Sequence, residues 1–272
     1  MAAERSAPQI MGVLNVTPDS FSDGGSFVAL EAAVEHAAAM VEQGAGIVDV
    51  GGESTRPGAT PVDPTTERAR VLPVVRELAA RGIPVSIDTR NADTALAAID
   101  AGAQLVNDVT GGLGDEGMAR VIAETGVHYV VMHWRAGGAD AVPEYRDVVA
   151  EVREELKNRI AALIVEGVQP AQIVLDPGLG FAKNADHNWA LLGHLARLRS
   201  LGHGLLIGAS RKRFLAGLLP EGAAVQQRDA PTAVISALAA QAGVWAVRVH
   251  DVPSTRLALD VWTQWNEGAR SR

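Results

Sequence analysis

The chain has 272 residues, 47% apolar and 21% charged, a balance that fits an ordinary globular protein and excludes a disordered or low-complexity chain. It contains no cysteine, which excludes disulfides, thiolate metal sites and cysteine nucleophiles. A formal net charge of −8 argues against nonspecific nucleic-acid or anionic-membrane binding. A small anionic substrate is still allowed, because screening over about 8 Å lets a local basic cluster outweigh distant acids. Met1 to Pro8 lacks the cationic segment and apolar run of a secretion signal, and no stretch approaches the roughly 18 apolar residues of a membrane span, so a cytoplasmic protein is expected.

The predicted elements alternate from the start. Strand-like runs at Ile10 to Leu14, Ile47 to Val50, Val85 to Ile87 and Leu105 to Val106 are followed by helix-like stretches at Leu30 to Gln43, Thr66 to Arg81, Ala92 to Ala101 and Glu116 to Thr125. The second half repeats the pattern. Runs at Tyr129 to Met132, Ile173 to Leu175, Leu205 to Ile207 and Ala246 to Val249 precede helices expected over Tyr145 to Glu166, Trp189 to Arg199, Pro231 to Ala242 and Pro253 to Trp265. Gly44, Gly82, Gly102, Gly126 and Gly167 follow helices as C-cap residues do. Thr17 to Val28, Gly51 to Pro64 and Leu219 to Arg228 read as irregular, as does a short insertion over Gly137 to Pro143.

The strand-like runs are apolar throughout, as parallel strands buried on both faces require. Eight β-α units with no dividing linker point to one domain over residues 1–272, a closed (β/α)8 TIM barrel, although an open doubly wound sheet uses the same local pattern. The run ends favour the barrel. Asn15, Asp49, Asp88, Asn107 with Asp108, His133, Asp176, Ser210, and Arg248 with His250 and Asp251 are nearly all polar residues of functional type, and a barrel gathers such positions at one mouth.

The loops after these runs carry distinctive strings. Met11 to Gly25 reads MGVLNVTPDSFSDGG, and Asp49 to Ala59 reads DVGGESTRPGA, with Arg56 offering a planar fork to an anion or carboxylate. VSIDT brings Asp88 to the mouth and LVNDVTGG brings Asn107, whereas Thr89 and Asp108 read as helix caps and Asp49 as structural. Leu175 to Lys183, LDPGLGFAK, joins a carboxylate, a Pro-Gly turn and an aromatic ring. GASRKR and RVHD place cations after the seventh and eighth runs, where barrels frequently bind phosphate, and of these Lys212 and Arg248 are expected to point inward. His36, His194 and His203 read as surface residues, and no metal-ligand spacing stands out. Trp189, Trp262 and Trp265 read as core or subunit-contact residues.

From Met11 to about Val261 these ordered motifs resemble the dihydropteroate synthases, pterin-binding enzymes of TIM-barrel fold. The resemblance implies condensation of (7,8-dihydropterin-6-yl)methyl diphosphate with p-aminobenzoate, releasing diphosphate, with Mg²⁺ as cofactor. It implies that Asp88, Asn107, Asp176, Lys212 and Arg248 bind the pterin, and that Asn15, Arg248 and His250 hold the diphosphate, Asn15 also contacting the metal. It further implies a p-aminobenzoate pocket of Phe21, Thr55, Arg56, Pro57, Phe181 and Arg213, with Asp19, Arg56, Lys212 and Arg248 as the catalytic set. The family's dissociative scheme, in which C–O cleavage precedes attack by a neutral arylamine, asks the protein for positioning and charge stabilisation. Many members have Ser where this chain has Arg213. Sulfonamide competition and a homodimer with apolar contacts such as Val234, Leu238 and Trp262 are also implied. A pterin-binding paralogue without turnover and a methyltetrahydrofolate-dependent methyltransferase are the rival readings.

Overall fold

The computed structural model describes residues 7–16, 25–53, 62–135 and 144–270. Eight parallel strands close into a barrel in sequence order: β1 (Gln9–Asn15), β2 (Ile47–Gly51), β3 (Val85–Asp88), β4 (Leu105–Asp108), β5 (His128–Met132), β6 (Ile173–Asp176), β7 (Gly204–Ile207) and β8 (Ala246–Val249). Closure comes from β1 pairing with both β2 and β8, Met11 lying opposite Ile47 on one side and Arg248 on the other. The open doubly wound sheet is thereby excluded.

Helices α1 (Gly25–Glu42), α2 (Pro64–Ala80), α3 (Ala92–Asp100), α4 (Met118–Thr125), α5 (Val148–Val165), α6 (Ala185–Gly193), α7 (Leu195–Arg199), α8 (Asp229–Ala242) and α9 (Val252–Arg270) connect the strands. Local chemistry sets several boundaries. Asp63 accepts from Thr65 N and Thr66 N ahead of Pro64, and Asp147 does the same for Val149 N and Ala150 N, so α5 starts three residues after the expected Tyr145. Asn184 caps α6 by accepting from His187 N. That cap starts the helix four residues before Trp189, and the expected single helix breaks at His194, just past the poor helix former Gly193. The region expected to be irregular up to Val28 is instead helical from Gly25. The glycines expected as C-caps all take positive φ, Gly126 at 75° closing α4 in the left-handed conformation.

Strand alternation sorts the side chains. Outward positions such as Val48, Val50, Ile87, Val106, Val131, Leu175, Ile207 and Val249 join the helices in one large core. Inward positions Met11, Leu105, Val130, Val174, Leu206 and Ala246 form a separate apolar plug inside the barrel. Two residues further along the same inward rows stand Val13, Asp49, Asp88, Asn107, Met132, Asp176, Gly208 and Arg248. The plug is thus a floor, and the polar layer begins directly above it. No helix among the described residues is long and apolar enough to cross a membrane.

Candidate active site

Arg248 organises one side of the mouth. Its Nε donates to Asp49 Oδ2 at 2.6 Å and its Nη2 to Asp88 Oδ2 at 2.7 Å, while Asn107 Nδ2 donates to the same Asp49 oxygen at 3.0 Å. Asp49, Asp88 and Asn107 are buried, whereas 20% of the Arg248 side chain remains exposed toward the mouth. Burial pushes the Asp88 carboxyl up to about 7, with Arg248 opposing and the Asp49 charge adding to the rise. Burial also works against the charge of Arg248, but Asp49 and Asp88 outweigh it and hold the guanidinium above its ordinary value.

Asp49, read as structural, sits in the polar layer of the mouth. It is fully buried on the inward row and joins Arg248 to Asn107. Asp108, one residue beyond Asn107, faces the opposite way and is structural, though it caps no helix: it accepts from Thr110 N, Thr110 Oγ1, Gly112 N and Tyr129 Oη, holding the turn after β4. Thr89 likewise accepts from Asn91 N ahead of α3.

Asp176 and Lys212 occupy the other side. Asp176 is buried and accepts from Gly178 N at 2.7 Å, and Lys212 Nζ donates to the carbonyl of Leu179. A Cβ at Gly208 would lie 3.7 Å from Asp176 Oδ2 and 3.9 Å from Lys212 Nζ, so both groups face this glycine. Burial raises the Asp176 carboxyl, chiefly against Lys212, and lowers the Lys212 ammonium to about 8 against Asp176. Lys212 Nζ also lies 4.8 Å from the centroid of the Phe181 ring. Arg211 forms a bidentate pair with Asp229 at 2.7 Å and 2.7 Å, and Arg213 is exposed. Of the three consecutive cations, the middle one alone points inward, as expected.

Asn15 ends β1 half-buried, and His250 follows β8 with its Nδ1 2.9 Å from Ser210 Oγ. Asp19, Phe21, Thr55, Arg56 and Pro57 lie outside the described residues. Among the described residues no group of three or more histidines and acids converges to hold a metal. Asn15 offers a single amide oxygen at the rim, a donor that fits a hard cation bringing most of its oxygens with it.

One further group was not singled out from sequence. Lys183 is buried, its Nζ 3.0 Å from His133 Nδ1 and donating to Gly178 O and Phe181 O at 3.1 Å each. His133, expected at the mouth, turns instead to Lys183 and to Glu155, whose Oε2 lies 2.9 Å from its Nε2. Burial and the Lys183 charge bring His133 down to about 4, and burial brings Lys183 down to about 7. A lysine closing the motif LDPGLGFAK was the available signal for this cluster.

A family model described as pterin binding enzyme matches residues 11–250. The dihydropteroate synthase of Mycobacterium leprae is 55% identical over 269 residues, covering 94% of this chain and 93% of the relative. The chain belongs to the dihydropteroate synthase family. Solved structures of the family agree with the fold. Xanthomonas albilineans dihydropteroate synthase with 4-aminobenzoic acid is 43% identical, with a TM-score of 0.89 over 96% of this chain and 93% of that one. The same enzyme in complex with 7,8-dihydropteroate is 40% identical, with a TM-score of 0.87 over 97% and 95%. A family of transferases with these ligands suits a mouth lined by fixed carboxylates and cations.

Proposed function

We propose that this chain, acting as one barrel domain, condenses (7,8-dihydropterin-6-yl)methyl diphosphate with p-aminobenzoate to give 7,8-dihydropteroate and diphosphate. The observation that carries the reading is the inward polar layer in which Asp88, Asn107, Asp176, Lys212 and Arg248 share one mouth, in a chain 55% identical to a dihydropteroate synthase.

Asp176 supplies the carboxylate that accepts from the pterin ring NH and exocyclic amine, with Asp88, Asn107 and Lys212 completing that edge. Arg248 is held by Asp49 and Asp88 with its plane set, so one guanidinium both covers the ring and faces the diphosphate. Asn15 and His250 complete the anion ligands, and Asn15 would hold Mg²⁺ together with diphosphate oxygens. When bound, the metal neutralises charge on the leaving group. The bond between the pterin CH2 and the diphosphate oxygen breaks with its electron pair leaving on oxygen, and the arylamine nitrogen then bonds to the CH2 and loses a proton. The loops carrying Asp19, Phe21, Thr55, Arg56 and Pro57, with Phe181 and Arg213, form the p-aminobenzoate pocket in this reading, where sulfonamides compete. Purified protein given both substrates and Mg²⁺ should release diphosphate; no release above blank overturns the reading, and pterin binding without release selects the silent paralogue.

The reading includes a homodimer in the cytoplasm. Val234 and Leu238 on α8 and Leu257, Val261 and Trp265 on α9 leave an exposed apolar face at four-residue spacing on two packed helices. Trp262, expected in that contact, is buried and donates from Nε1 to Gln241 Oε1, tying α9 to α8, while Trp265 takes the outer position. Sedimentation should give a dimer that Leu238→Glu dissociates.

A further inference from the structure

Between β6 and α6 the chain makes a turn of unusual cost. Gly178 and Gly180 take φ of 67° and 76°, and Ala182 takes 49°, a left-handed conformation that strains a residue with a Cβ. This turn carries the Leu179 carbonyl that receives Lys212 and the Phe181 ring beneath Lys212 Nζ. It also fits closely: a Cβ at Gly178 would fall 2.3 Å from His133 O. What holds the turn down is Lys183, next to the strained Ala182.

Lys183 Nζ has three acceptors around it, Gly178 O, Phe181 O and His133 Nδ1, and an ammonium has three donors. With His133 Nδ1 accepting, the ring proton belongs on Nε2, where it donates to Glu155 Oε2. Glu155 is fixed in turn by Arg135, which also binds Glu151. A chain of contacts therefore runs from α5 through His133 to the two carbonyls of the turn. Besides these groups, Asp176 and Lys212 are the charges that face Lys183.

We propose that Lys183 is a positioning residue for the second substrate: seated on His133, it clamps the turn from Gly178 to Phe181 and so fixes the Phe181 ring. The inference rests on the synthase reading for its substrate, but the clamp itself can be tested without turnover.

Lys183→Met, His133→Leu and His133→Asn form the test set, since Asn keeps an acceptor near the Nδ1 position and Leu does not. In steady-state assays Lys183→Met and His133→Leu should raise KM for p-aminobenzoate tenfold or more while changing KM for the pterin diphosphate less than threefold. His133→Asn should stay within about threefold of wild type on both. Amide hydrogen exchange at Gly178 and Phe181 should quicken tenfold or more in the first two variants and not in the third. Equal rises in both KM values, or failure of His133→Asn to differ from His133→Leu, would overturn the clamp. A wild type without turnover would fail the synthase reading alone, and exchange unchanged in the Lys183 variant would then still refute the clamp. If Lys183→Met does not fold, the two His133 variants decide the matter.

Discussion

The two sides of the barrel mouth are built on different principles. Around Arg248 the charges neutralise one another, with Asp49 and Asp88 gripping one guanidinium at 2.6 Å and 2.7 Å. Around Asp176 and Lys212 the protein relies on backbone, the carboxylate taking the Gly178 amide and the ammonium a carbonyl. The first side is a preformed charge network; the second leaves a carboxylate and an ammonium facing Gly208. The cations also differ in kind. A buried lysine can shed its proton, and Lys212 and Lys183 are already lowered to about 8 and about 7, whereas an arginine stays charged.

That difference yields the largest expected contrast. Asp49→Ala leaves Arg248 with one carboxylate and Asn107 with none, so stability should fall toward the lower end of the roughly 3–5 kcal/mol seen when a buried pair is broken. Asp176→Ala should unfold less readily than Asp49→Ala, because the lysines beside it can neutralise. Its penalty falls on binding, at about 1–3 kcal/mol for each pterin donor left unpaired, or roughly tenfold and upward in affinity. Urea midpoints and calorimetric pterin titrations on both variants would test the contrast. If Asp176→Ala proves the less stable protein and keeps its pterin affinity, the division between the two sides is wrong.

How much of this was legible in the sequence follows from chain distance and parity. The barrel was readable because each strand is an apolar run with a polar end, and the run repeats often enough to close. What Asp49 holds is hidden in the sequence, because IVDVG is apolar around it and its partner Arg248 lies 199 residues away along the chain. Strand parity would have separated it from Asp108: Asp49 shares the inward row of Ile47 and Gly51, while Asp108 lies on the outward row of Val106. Lys183 and His133 are 50 residues apart and meet only because β5 and β6 are neighbours. The break at His194 was hidden for a simpler reason, since the apolar spacing that suggested one helix does not register the poor helix former Gly193 just before it.

Acid–base behaviour sharpens the comparison further. Asp88 has two opposed influences, burial raising its pKa and Arg248 lowering it, with burial prevailing at about 7. A carboxyl whose folded pKa exceeds its unfolded value binds its proton more tightly in the folded state. Its contribution is therefore most favourable below about pH 4 and is lost as pH rises to about 7, remaining flat above. The stability of wild type relative to Asp88→Asn should decline across that window. If the gap widens with pH instead, the Arg248 pair dominates and this side of the mouth is fully ionised at neutral pH.

The smallest expected effect is at Arg213, where many members of the family have serine. Its side chain is exposed one residue beyond the inward Lys212, at the start of a short 3₁₀ turn spanning Arg213–Leu218. A backbone contact from this position to the p-aminobenzoate carboxylate needs no particular side chain, so Arg213→Ser should change KM for p-aminobenzoate less than about threefold and leave pterin affinity unaltered. A larger gain on introducing serine would mean that a hydroxyl contact is missing from this chain. A loss exceeding tenfold would make the guanidinium itself a carboxylate ligand, and the Lys212 side of the mouth would then hold both its substrates through side-chain charge rather than backbone.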